Sequence, residues 1–388
     1  MGGMPDSLPS LTLSLHASIH EIGAAEWDIC AGSDNPFVSQ AFLACVEDSG
    51  SAGKRTGWLP RHAALRDEAG LLVAAAPMYA KSHSYGEYVF DHGWARAFEQ
   101  AGGRYYPKLQ VASPFSPVPG PRLLIHPHAH VPRAALAAAL EKACAQLKLS
   151  SVHVTFCTEQ DYTALGQAGW LQRLGVQYHW DNNGYASFDD FLGALNARKR
   201  KSIRRERREA QSAGLEFVTL RGADITAKQW AAFYRFYEST VDRKWGTAYL
   251  TPEFFPLLGQ RLGERVVLML ALHDNKPVAG ALNLAGTDTL YGRNWGALRE
   301  FPFLHFELCY YQALDFAIAN GLKRVEAGAQ GEHKIQRGYL PALTYSAHHI
   351  AHPGLHNAVA EFLNQERPAC LQEMAALAEL SPFRRGEE

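Results

Sequence analysis

The sequence predicts a mixed α/β protein in which one order of elements is used twice. Three observations predict it. Each half opens with short apolar runs separated by turn residues, the pattern of strands in an antiparallel meander. Each half then continues with a long amphipathic run, a short buried strand, a connecting segment and a last strand. The 388 residues are enough for two ordinary domains, and 47% apolar with 20% charged residues is a globular composition. Mixed sheets with helices on their faces are the outcome of such an order.

In the N-terminal half, 63–65 and 71–79 read as a hairpin and 105–112 as a third strand. The stretch 132–147, rich in Ala and Leu, is a helix. Residues 152–156 form a short buried strand, 161–167 a helix, and 175–180 the last strand. The turn residues Asp181, Asn182, Asn183 and Gly184 place the break, giving domains 1–181 and 182–388. In the C-terminal half, 266–272 and 278–284 are strands joined by an Asp274–Asn275 turn, and 290–295 is the third. An amphipathic helix over 303–319 is closed by Asn320 and Gly321. Strands at 324–327 and 344–350 follow, separated by a polar loop.

Composition excludes several classes. The six cysteines are scattered, without a Cys-x-x-Cys pair, which points to a reducing compartment and away from disulfides or a cysteine zinc site. Histidines cluster at His126, His128 and His130 and at His348, His349, His352 and His356. Pro127, Pro353 and Gly354 break helical spacing there, so no metal site is expected. No Gly-x-Ser-x-Gly elbow, Walker A loop or dinucleotide fingerprint occurs. The N-terminus has neither a basic start nor an apolar core, and no apolar run reaches membrane-spanning length. The expected address is the cytoplasm.

Against a chain net charge of −1, the twelve residues 198–209 carry eight basic and two acidic side chains, a net +6. Arg198, Lys199, Arg200, Lys201, Arg204, Arg205 and Arg208 are the candidate anion-binding set. The segment reads as one helix, with Asp189 and Asp190 near its start and a thin apolar stripe of Leu192, Leu195, Ile203 and Ala210. Like charges four apart, as in Arg200/Arg204 and Lys201/Arg205, cost a few tenths of a kcal/mol each (about 0.2–0.5). A helix that carries this repulsion suits an anionic partner: a nucleotide, tRNA, lipid head group or CoA-type donor. The plain alternative is a solvated surface helix.

Several stretches together resemble the FemAB-like family of N-acyltransferases. They are 35–43 (NPFVSQAFL), 105–110 (YYPKLQ), 114–122 (PFSPVPGPR), 177–180 (QYHW), 198–207 (RKRKSIRRER), 290–296 (LYGRNWG), 305–312 (HFELCYYQ) and 326–334 (EAGAQGEHK). The resemblance implies two tandem GNAT-type domains, in agreement with the repeat. It also implies acyl or aminoacyl transfer to an amine, on a small molecule or a cell-wall precursor. Related Fem enzymes take the amino acid from an aminoacyl-tRNA. The expected donor is therefore an aminoacyl-tRNA or an acyl-CoA, with no tightly bound cofactor. Acyl-CoA GNAT domains hold pyrophosphate on an Arg/Gln-x-x-Gly-x-Gly/Ala loop. Here Arg293 falls inside a strand and bulky Leu298 stands where a small residue is needed. The other candidate loop, 114–121, contains four prolines that lack N–H groups. Both departures count against CoA and favour an RNA-borne donor. An acyl-CoA N-acetyltransferase and a non-catalytic phosphate- or RNA-binding protein on the same fold remain the alternatives.

Acyl transfer to an amine needs a base for the amine proton and donors for the carbonyl oxyanion. The loop 328–338 supplies both types. His333 or Glu332 is the candidate base, and Lys334 and Arg337 the candidate holders of a phosphate or carboxylate. The alternative is a capped turn with solvated charges. Glu307, among Phe306, Leu308 and Cys309, is a candidate acid/base, and His305, two residues before it on the same helix, is a candidate substrate contact. Tyr291, Arg293 and Trp295 alternate along one strand as a pocket floor or as ordinary packing. In the N-terminal half Lys108 is the candidate substrate contact, and 91–94 shapes a ligand mouth.

Overall fold

The computed structural model describes residues 10–244, 248–328 and 331–384. The reading of the extreme N-terminus therefore lies outside the described residues, as do Ala329 and Gln330 of the candidate loop. Fifteen strands are present among the described residues: β1 Thr12–His16, β2 Trp58–Pro60, β3 His62–Arg66, β4 Leu72–Ala76, β5 Met78–Lys81, β6 Lys108–Val111, β7 Leu124–Ile125, β8 Ser151–Cys157, β9 Leu171–Asp181, β10 Leu215–Arg221, β11 Val266–His273, β12 Lys276–Ala285, β13 Thr289–Ala297, β14 Arg324–Glu326 and β15 Leu340–Ile350.

A small sheet runs β1-β3-β4-β7, and an 11-stranded sheet runs β10-β11-β12-β13-β14-β9-β15-β8-β6-β5-β2. The order interleaves strands from the two halves of the sequence. β9 lies between β14 and β15, and β15 in turn pairs with β8. One sheet thus continues through both halves of the chain.

Local chemistry explains where the elements differ from expectation. The single strand expected over 71–79 splits at Pro77, which cannot donate to a ladder. β4 stays with β3 in the small sheet, while β5 joins the large one. The helix expected through Asp189 to Ala210 is two helices, Phe188–Ala194 and Ala197–Gln211. Asn196 separates them because its side chain accepts from the Lys199 N–H at 3.0 Å, a strong N-cap. Asp189 and Asp190 therefore serve the first helix, not the basic one.

The sheet centre is a packed core. Leu268 and Leu270 of β11 pack with Phe233, Phe236 and Phe255 on one face. Val267 and Met269 pack with Leu308 and Leu314 on the other. Each fully buried side chain of this kind contributes about 1.5–3 kcal/mol, so β11 is held from both sides. The helix over 304–319 covers the second face, with a wide π-helical turn at Glu307–Tyr311.

Two local features open the sheet. β13 and β14 are parallel neighbours over only three pairs, from Thr289↔Arg324 to Tyr291↔Glu326. β14 then ends, while β13 runs on to Ala297, so the sheet splits. Just past the split the β12–β13 register changes from Asn283↔Gly292 to Leu282↔Asn294, leaving Arg293 as a bulge residue without a cross-strand partner.

A candidate active-site cleft at the split in the sheet

A cleft of about 430 Å³ occupies the split. Its floor includes Asn283 of β12 with Arg293 and Trp295 of β13. One wall is the long helix and the following loop, which contribute His305, Cys309, Tyr310, His333 and Lys334. The opposite wall comes from distant segments: Tyr85, Tyr88 and His92, Phe115, and Tyr237 and Tyr249.

Four polar groups converge there. The His333 Nε2 atom lies 2.9 Å from the Tyr310 hydroxyl. The Lys334 ammonium donates to the Gly328 carbonyl at 2.8 Å. Lys334 is 2% exposed. That burial pushes its ammonium down to about 7, because a charge out of water is disfavoured. The His305 ring lies 5.0 Å from Trp295 and 6.1 Å from His333. Arg293 donates to the Phe115 carbonyl, with its guanidinium 5.7 Å from the Phe37 ring. Burial also lowers its ordinarily very high pKa. The bulge is what aims Arg293 across the cleft toward the N-terminal half.

The family model for peptidoglycan biosynthesis/recognition, FemAB-like, matches residues 18–385. The chain belongs to the FemAB-like family. FemX aligns over 90% of this chain and 100% of its own, at 11% identity and a TM-score of 0.55. A conserved protein of unknown function from Bacteroides thetaiotaomicron aligns over 87% of this chain and 99% of its own, at 10% identity and a TM-score of 0.51. A tandem GNAT protein from the clavulanic acid biosynthesis pathway aligns over 89% of this chain and 99% of its own, at 14% identity and a TM-score of 0.49. No curated protein matches the chain. The fold is that of FemX, and the family is described by peptidoglycan biosynthesis or recognition. Among the described residues no helix is long and apolar enough to cross a membrane.

The FemAB-like cleft gathers Arg293, Trp295, His305, His333 and Lys334 from the sequence-predicted set. Others lie elsewhere. Tyr291 does not share a face with Trp295, because the bulge at Arg293 reverses the alternation; it packs 5.4 Å from Phe37 instead. Glu307 is fully buried outside the cleft, and its charge is met by Arg207 at 3.0 Å and by Gln312 at 2.8 Å. Arg337 is also buried. It pairs with Glu206 at 2.9 Å, stacks 3.4 Å over Phe306, and donates to the His333 carbonyl at 2.8 Å. It therefore braces the loop that carries His333. Glu332 is exposed on the far side of that loop. Lys108 sits fully buried in the N-terminal half, bonded to Glu87 at 2.7 Å, Ser84 at 2.8 Å and Asp91. Those partners belong to the segment that delivers Tyr85, Tyr88 and His92 to the cleft, so Lys108 acts on the wall from behind.

The basic helix presents Arg198, Lys201, Arg204, Arg205 and Arg208 to solvent, with Lys199 and Arg200 half-buried. Arg204 reaches Asp189 at 3.0 Å and Arg205 reaches Glu209 at 3.4 Å. Its inner stripe is Ile203, Glu206 and Ala210, so a carboxylate is buried where only apolar residues were expected. Glu206 accepts from Arg337 and Tyr311, which ties this helix to the His333 loop.

The stretch compared with a phosphate-binding loop lies within a strand. Residues 293–297 belong to β13, with Trp295 to Ala297 paired to β12. Gly296 allows close helix approach: a Cβ there would lie 1.9 Å from the Phe236 carbonyl oxygen. The two histidine groups lie in different settings, with the His126 and His128 rings 5.9 Å apart. His348 bonds to buried His153 at 2.8 Å, while His352 caps the C-terminal helix. Cys30, Cys45, Cys144, Cys157 and Cys370 are buried, whereas Cys309 is part-exposed where it lines the cleft.

Sequence reasoning missed Tyr237, Tyr249, Tyr88 and Phe115. Tyr237, Tyr249 and Tyr88 enter the cleft from segments remote in the chain that no motif marks, while Phe115 lies in the family-resembling stretch 114–122, of which the loop and not this side chain was singled out.

Proposed function

We propose that this protein is an N-acyltransferase that passes an acyl or aminoacyl group from an anionic carrier to an amine held at the split between β13 and β14. The observation that carries the reading is the placement of His333, Tyr310 and Lys334 beside the Arg293 bulge, in one cleft. His333 takes the proton of the attacking ammonium. The new N–C bond forms as the carbonyl oxygen gains charge, and a backbone N–H at the Arg293 bulge is the proposed oxyanion donor. The bond to the carrier oxygen or sulfur then breaks. Lys334, with a pKa near neutrality, gives a proton to that leaving atom and takes up the second proton that the new amide nitrogen sheds.

The carrier we favour is an aminoacyl-tRNA, recruited by the exposed Arg and Lys of the basic helix. An acyl-CoA is the alternative, and peptidoglycan-precursor chemistry supplies the amine. We further propose that the two GNAT-like units are 1–181 and 182–388, with their last strands exchanged. A non-catalytic anion-binding protein would use the same basic face but would turn nothing over. The test is His333→Ala. Loss of a general base lowers turnover by about 10²-fold or more while the fold is retained. Full turnover in that variant removes His333 from the mechanism.

A further inference from the structure

Behind His333 lies a second opening. A groove of about 710 Å³ is bordered by β9, the loop at Gly331, Glu332 and His333, and the C-terminal helix Pro353–Ala378. His333 lines both this groove and the cleft. Lys334 joins them too: it lines the cleft, and its ammonium lies 5.8 Å from the ring of Tyr178, which lines the groove. The partition between the two spaces is therefore this pair of residues.

The groove and the cleft differ in charge. The ionisable side chains bordering the groove besides His333, Tyr178 and Cys370 are Glu332, Glu366 and Glu373, and no Lys or Arg stands among its described lining residues. Glu366 is neutralised by Arg173 at 2.6 Å. Glu332 and Glu373 are exposed and form no ion pair among the described residues. Both lie near enough to Tyr178 to help burial raise its hydroxyl pKa, so they converge on one spot.

We infer that this groove is the acceptor's entry route, and that the acceptor is an amine bearing a second positive charge. The inference rests on the acyl-transfer reading. Donor and acceptor then approach His333 from opposite sides, and transfer is direct within a ternary complex. The reacting nitrogen must be neutral when it attacks, because its proton has passed to His333. Glu332 and Glu373 therefore need another cation to hold, and a diamine or a basic amino-acid derivative supplies it. A mono-amine leaves both carboxylates unmatched.

Calorimetry with 1,5-diaminopentane and pentylamine, which share a chain length and differ by one charge, tests this at low salt. The diamine is expected to bind at least tenfold tighter. Glu332→Gln combined with Glu373→Gln should erase that preference, as loss of two partly screened pairs implies a change of roughly tenfold. Glu373→Lys, on an exposed turn of the C-terminal helix, is an independent second variant and should abolish the preference alone. Equal binding of the two amines, or a preference that survives both variants, overturns the groove assignment. The outcome for the transferase reading is separate. Transfer to both amines with equal KM sinks the groove and keeps the enzyme, whereas groove binding without transfer from either donor class sinks the enzyme and keeps the groove.

Discussion

Arg337→Met tests how the His333 loop is held. Arg337 and Glu206 form an ion pair whose side chains are only 8% and 11% exposed. Removing one partner of such a pair strands a buried charge, at a cost of about 3–5 kcal/mol. Glu206 keeps the Tyr311 hydroxyl as a donor, which places the expected loss toward the lower end. The stacking of Arg337 over Phe306 and its bond to the His333 carbonyl are lost together with the pair and do not add independently. Equilibrium urea unfolding, followed by the fluorescence of the eight tryptophans, reads the change. The double variant Glu206→Leu/Arg337→Met removes both charges and should recover much of the stability. It should not recover turnover, since the His333 carbonyl still lacks its brace. The expected signature is near-wild-type unfolding with kcat reduced about tenfold or more and KM little changed. Arg337→Met within about 1 kcal/mol of wild type would show that the pair is not the brace described here.

Two further predictions follow from electrostatics. Changing Arg198, Lys201 and Arg208 to Gln removes three exposed charges of the basic helix; the slope of log affinity for tRNA against log salt should flatten by about two units, measured by filter binding, with the urea midpoint unchanged. Burial pushes the carboxyl of Glu326 up to about 8. Between the ordinary carboxylate range and pH 8 the folded chain thus holds a proton that the unfolded chain has released, so stability falls as pH rises through that window. Glu326→Gln should abolish this part of the fall in a series of urea melts, and an unchanged pH profile would refute the assignment.

What the sequence conveyed was the part of the design that is local. The runs at 266–272 and 278–284, and the helix ending at Gly321, follow from periodicity and turn chemistry, and the structure has them as β11, β12 and the helix over 304–319. Gly321 adopts φ 65°, the left-handed conformation that ends helices. The gathering of His305, His333, Lys334 and Arg293 agrees with the motif-bearing stretches at 290–296, 305–312 and 326–334. What alternation alone could not convey were register and distant contacts. The extra residue at Arg293 reversed the parity of Tyr291, and the one local sign of that bulge is Gly292 beside it. Glu206 reads as one more solvated charge in a basic run, until Arg337, far along the chain, is folded against it. The placement of β9 between β14 and β15 depends on pairing between distant segments, to which no local pattern refers.

The central claim is that the cleft transfers an acyl group to an amine. Its most direct measurement is mass spectrometry of 1,5-diaminopentane incubated with the protein and either aminoacyl-tRNA or acetyl-CoA. The account predicts an amide product from aminoacyl-tRNA, lost in His333→Ala, and acetyl-CoA affinity weaker than about 1 mM, or less than about 4 kcal/mol of binding. Product from acetyl-CoA with micromolar affinity would transfer the role to the CoA alternative. No amide from either donor, over a panel of mono- and diamines, would contradict the claim itself.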